Sequence, residues 1–180
     1  MPRHDFDQTV DIAALKTQVD AEIAARLLIE ADAARHIQRR GFRAGELKLL
    51  ASLDATSEVA AIPPLFRLPG APAGIIGLVN RHGRVMPVAD LSVLFGIRQD
   101  HAAGSWLLTC GRGDGAIGVV IDSLLERKKF THEDEISLSD VKHPIAAHAR
   151  AAYREGQDIW VDVDFEKLFT EMFQVDTSAV

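Results

Sequence analysis

Gly74-Ile-Ile-Gly-Leu-Val-Asn-Arg-His-Gly-Arg-Val-Met-Pro-Val-Ala-Asp-Leu91 is two apolar runs joined by a short polar turn. Gly74–Asn80 and Arg84–Ala89 flank Arg81-His82-Gly83, an order that reads as a β-hairpin. Asp90 is placed to cap a short helical turn, Leu91–Phe95, which Gly96 closes. The same grammar extends to both sides. Ser105–Cys110 and Ala116–Ile121 form a second hairpin around Gly111-Arg-Gly-Asp-Gly115. Ala151–Arg154 and Asp158–Val163 form a third, turned by Glu155-Gly-Gln157. Phe42–Ala51 reads as two short strands about an Ala44-Gly45 turn, and Arg127–Phe130 as another strand. Residues 62–74 are proline-rich; proline fixes φ and removes a donor, so this is an extended connector and not a central strand. Residues 131–150 are polar and give no pattern. Short strands at roughly ten-residue spacing predict antiparallel barrels or a sandwich. Strands do not alternate with long helices, which disfavours a doubly wound nucleotide-binding sheet.

Two helices frame this body. Ile12, Leu15, Val19, Ile23 and Leu27 recur at steps of three and four, which predicts a helix over 11–40 ending at Arg39-Arg40-Gly41. Its stripe drifts after Ile23 and is no strict heptad seam; it serves docking on the body, self-association or a further partner. Near the C-terminus Phe165, Leu168, Phe169, Met172 and Phe173 form one apolar stripe, with Asp162 or Asp164 as cap. The predicted division is a helical extension at 1–40, a β body at 41–173 and a tail at 174–180.

The 180 residues carry a net charge of −6 with no basic face, so nucleic acid is not an expected partner. No apolar run reaches the ~18 residues needed to cross a bilayer, and the N-terminus lacks a hydrophobic signal core. These features predict a soluble, cytoplasmic protein that does not insert into membranes. The single cysteine, Cys110, lies in an apolar run and reads as a buried structural thiol. Gly113-Asp-Gly115-Ala-Ile-Gly118 matches G-x-G-x-x-G, yet strand-prone Val119-Val-Ile121 follows where a dinucleotide site needs a helix. It reads as a hairpin turn that also contains Arg112-Gly-Asp114. The histidines are scattered, no metal-ligand spacing occurs, and nothing singles out an acid–base pair. Arg127-Lys-Lys129 reads as a solubilising edge-strand cluster. No catalytic residue, cofactor or metal site is expected.

Phe66-Arg-Leu-Pro-Gly-Ala-Pro72, Ile75-Ile-Gly-Leu-Val-Asn80 and Gly83-Arg-Val-Met-Pro-Val-Ala-Asp90-Leu91 together resemble the signature of CheW proteins. In that signature a Pro-bearing turn precedes G-x-x-N-x-R-G and then P-x-x-D-L. Gly118-Val-Val-Ile-Asp122 is similar to the family's G-x-x-V-D. Trp160-Val-Asp-Val-Asp164 with Phe165-Glu-Lys-Leu168 is similar to its closing strand and helix. The resemblance covers about residues 41–173. It implies a mainly β fold of two small five-stranded β-barrels, here with a long N-terminal and a C-terminal helix.

The resemblance also implies a non-enzymatic adaptor without a cofactor. Such an adaptor binds the cytoplasmic tip of chemoreceptors and the regulatory domain of a CheA-type histidine kinase. The receptor-facing wall falls on Leu53, Glu58 and Val59, with Asn80 and His82 at the adjoining turn. The chain departs from the family pattern at His82, where that pattern has Arg, and in carrying the long first helix. Glu58 is then expected to pair with His82 where the family places Glu against Arg. Two rival readings stand beside the adaptor. One is a scaffold of the same fold in pilus motility or surface sensing, using the N-terminal helix for a different partner. The other is a small β-barrel enzyme or ligand-binding domain.

Overall fold

The computed structural model describes residues 12–97 and 104–174. The predicted helix start at residue 11 and the tail beyond Gln174 lie outside these residues. The chain divides into two compact units, Met1–Ile37 and Gln38–Val180. In the first, the described helix α1 spans Ile12–Arg35, and Val19, Ile23, Leu27, Leu28 and Ile29 are exposed along it. It is shorter than expected. Residues 37–40 belong to strand β1 (Ile37–Ala44) instead.

The second unit holds the strands. After β1 come β2 (Leu47–Ala51), β3 (Thr56–Ala61), β4 (Ile75–Arg81) and β5 (Arg84–Ala89), then the short helix α2 (Leu91–Leu94). There follow β6 (Trp106–Cys110), β7 (Ile117–Ile121), β8 (Glu126–Phe130), β9 (Glu135–Ile136), β10 (Ala149–Glu155), β11 (Asp158–Val163) and helix α3 (Phe165–Gln174). Among the described residues these strands form two sheets, ordered β8-β1-β2-β11-β10-β9 and β3-β6-β7-β5-β4. The first thus carries one more strand than the resemblance implies, the two-residue β9.

The connectivity is a swapped pseudo-repeat. Each sheet joins two hairpins through one parallel pair, β2 with β11 in the first and β7 with β5 in the second. Each closing hairpin is followed by an aspartate and a helix. The Asp90 amide donates to the Gly74 carbonyl and the Asp164 amide to the His148 carbonyl, both at 2.8 Å. Both aspartates cap. The Asp90 carboxylate accepts from the Ser92 and Val93 amides, and that of Asp164 from the Lys167 amide.

Both sheets curl until their edge regions meet. Glu58 on β3 forms an ion pair with Arg81 on β4, the strand at the opposite edge. In the first sheet, Phe130 on edge strand β8 stacks on Tyr153 of β10 with ring centroids 4.8 Å apart. Lys128 of β8 also reaches Glu155 at 2.6 Å and sits 4.3 Å from the Trp160 ring centroid. Lys128 is therefore an internal tie between strands, not the solubilising charge its tripeptide predicts.

Period-2 alternation separates two cores. On β6 and β7, Leu107 and Val120 enter a small cluster with Val79, Met86 and Val88, inside the second sheet. Their neighbours Leu108 and Val119 face the larger cluster, which also takes Phe42 and Leu49 from the first sheet and Phe165, Leu168 and Phe169 from α3. With both faces covered, all five residues of β7 are buried. Gly77 allows the connector to approach β4. It has φ 154°, and a Cβ there would lie 2.5 Å from the Phe66 carbonyl oxygen, where Phe66 bridges to Leu78.

Candidate protein-docking site

Cys110 is a buried thiol. It is 2% exposed, and burial pushes its thiol up to about 12. Labelling by a thiol reagent at neutral pH is expected to follow unfolding. Stoichiometric labelling of the native protein within minutes would contradict this burial. The glycine-rich turn Gly113–Gly115 is followed by β7, so no helix N-terminus is offered to a pyrophosphate. No cluster of metal-ligating side chains occurs among the described residues.

The unit has grooves instead. A cavity of about 810 Å³ opens where the second sheet meets α3. Its apolar walls come from Pro87 and Ile117 on one side and Phe165, Phe169 and Phe173 on the other. Phe173 is 44% exposed, so the stripe of α3 is buried except at its last member. The rim carries Arg150, whose Nε and Nη2 contact the two Asp164 carboxylate oxygens at 3.0 Å each. This bidentate pairing holds the Asp164 carboxyl below the usual carboxylate range.

A second groove of about 770 Å³ lies at the β4–β5 hairpin. Its two-residue loop, His82-Gly83, has φ 52° and 79°, the double left-handed pattern of a type I′ turn. His82 is the one non-glycine residue with positive φ among the described residues, so its position is fixed by the turn. From there its Nε2 lies 3.5 Å from Oε2 of Glu58.

Of the residues expected in the docking wall, the structure brings Glu58 and His82 together in this second groove. Leu53 is exposed in the β2–β3 turn, between Ser52 and Asp54, which line the first groove. Asn80 is exposed beside the hairpin turn. Val59 is half-buried and packs against the larger core, because alternation on β3 turns it away from Glu58. The sequence reading missed Arg81, the other partner of Glu58. Register holds the missing signal: a two-residue loop sets Arg81 directly across from Arg84. Like charges so placed repel, and Glu58 offsets one of them.

Residues 40–173 match the model of the CheW-like domain. The chain belongs to the CheW-like domain family. It is 21% identical over 142 residues to the chemotaxis protein CheW of Thermotoga maritima, covering 79% of this chain and 93% of that protein. It is 31% identical over 72 residues to the chemotaxis protein CheW of Rhizobium meliloti, covering 37% and 46% respectively. The fold resembles the crystal structure of the scaffolding protein TtCheW from Thermoanaerobacter tengcongensis. That match has a TM-score of 0.63 and 18% identity, and covers 71% of this chain and 84% of the other. The two β subdomains are thus the CheW fold. Helix α1 lies outside the matched residues, and no helix among the described residues is long and apolar enough to cross a membrane.

Proposed function

We propose that the chain is a non-enzymatic coupling adaptor of the cytoplasm. It joins the cytoplasmic tip of chemoreceptors to the regulatory domain of a CheA-type histidine kinase. The observation that carries this reading is the apolar groove between the second sheet and α3, on a chain of the CheW-like family. An apolar groove of this kind accepts an amphipathic helix, and a receptor tip is a helical hairpin. On this reading Leu53 flanks that groove, between its lining residues Ser52 and Asp54, and the receptor-facing wall continues to Glu58, Asn80 and His82 beside the β4–β5 turn, with Val59 supporting β3 from within.

Leu53 is the residue to test, since it is exposed. An aspartate at Val59 would instead place a charge against the core and confound docking with folding. Leu53→Asp is expected to weaken binding to a receptor-tip fragment by roughly tenfold or more, with kinase-domain binding and the thermal melt unchanged. Unaltered receptor binding by the folded variant would refute the site. A second reading places the same fold in pilus motility or surface sensing, with α1 as the contact to another partner. The exposed Val19, Ile23 and Leu27 on α1 favour it. Loss of a captured partner on removing residues 1–36, with receptor binding absent throughout, would select that reading.

A further inference from the structure

The Arg112-Gly-Asp114 turn faces the β4–β5 hairpin across the second groove. Two loops distant in sequence therefore place Arg81, Arg84 and Arg112 in one concavity of an otherwise acidic chain. These arginines differ in state. Arg81 is taken by Glu58. The side chains of Arg84 and Arg112 are exposed, with no ion pair or hydrogen bond to a described residue. Val85, next to Arg84 on β5, is 68% exposed and lines the same groove. Asp114 is the one carboxylate of this groove besides Glu58 among the described residues, so the local balance stays positive.

We propose that Arg84 and Arg112 form a two-armed clamp for an acidic, amphipathic segment of a protein partner, whose carboxylates meet the guanidiniums while an apolar side chain covers Val85. Guanidinium is the cation suited to this task, because its planar fork matches a carboxylate. The cross-strand register explains why Arg84 is available: Glu58 neutralises Arg81 and leaves its partner across the hairpin uncompensated. A nucleic acid is a poorer occupant. It would bring a continuous run of phosphates against Glu58 and Asp114, with Arg84 and Arg112 as the unpaired cations of this groove among the described residues. The proposal deepens the adaptor reading and rests on it for the partner's being a protein, but it assigns a chemistry to a surface that the receptor helix need not fill.

The test uses the full chain and a fluorescein-labelled helical peptide carrying four glutamates along one face beside an apolar stripe. Its controls are the same peptide with glutamines and a DNA duplex. The glutamate peptide is expected to bind with an affinity that falls as salt rises, and to perturb amide resonances of residues 80–86 and 109–116. Arg84→Gln with Arg112→Gln should weaken it roughly tenfold, as expected for two exposed ion pairs acting together. Both positions are exposed, and an unchanged thermal melt will verify that the variant is folded. Equal binding of the glutamine peptide, equal binding by the double variant, perturbations confined elsewhere, or tighter binding of DNA would each overturn the clamp. No receptor or kinase enters this measurement. If the peptide binds here but receptor coupling fails, the adaptor reading falls and the clamp stands.

Discussion

Phe169→Ala is expected to lower the unfolding free energy by about 3–5 kcal/mol, the usual cost of deleting a well-packed core aromatic ring. Phe169 is 7% exposed and tilts against Phe165 at a centroid distance of 5.6 Å. Phe165 in turn stacks on Phe42 of the first sheet at 6.1 Å. The three rings pass from helix α3 into the core that both sheets share, so deleting this ring strips packing from Phe165 and opens the core to the groove that Phe169 walls. Phe173, one turn further, is the internal control. At 44% exposed it should tolerate alanine with a far smaller loss. Urea melts of both variants provide the check. A loss beneath about 1 kcal/mol for Phe169→Ala would show that α3 is not part of the core.

Arg39→Ala should be comparably damaging, by about 3 kcal/mol at neutral pH, because it strands a buried charge. Asp162 is 2% exposed on β11, and its Oδ2 accepts from Arg39 Nε at 2.6 Å. Burial raises the Asp162 carboxyl above its ordinary range, and Arg39 opposes that shift. Without Arg39 the carboxyl rises further. A carboxyl whose folded value exceeds its unfolded value favours the fold below the unfolded value, and that advantage is lost as pH rises through the folded value. The variant should therefore be weakest at neutral pH, and its gap to the parent should narrow as pH falls toward about 4. A gap that is constant from pH 7 to 4 would mean that Asp162 is not left charged and unpaired.

That ion pair also explains one misreading of the sequence. His36-Ile-Gln-Arg-Arg40 contains no helix breaker before Gly41, so local signals carry a helix through to residue 40. Tertiary structure decides otherwise: strand β1 begins at Ile37, and Arg39 is drawn to Asp162. The hairpins were legible because each has strand-prone runs around glycine turn residues. The aspartate caps of α2 and α3 and the buried face of α3 were legible for equally local reasons. Strand β3 was not. Thr56-Ser-Glu-Val-Ala-Ala61 shows no clear alternation, and its strand character comes from pairing with β6. Residues 131–150 were opaque because they form β9 and short 3₁₀ turns, too brief to show a period. Within the candidate docking site, Glu58 and His82 could be paired from the family signature. The burial of Val59 and the role of Arg81 required the alternation of β3 and the register of β4 with β5.

The coupling role itself is tested most directly by co-sedimentation. Receptor-tip assemblies, a CheA-type kinase from the same cell and this full chain are mixed, spun and assayed for kinase in the pellet. The account predicts that the kinase sediments with the receptor only when this chain is added, and that Leu53→Asp abolishes the gain. Kinase remaining in the supernatant at the same level, with the folded wild-type chain present in excess, would contradict it.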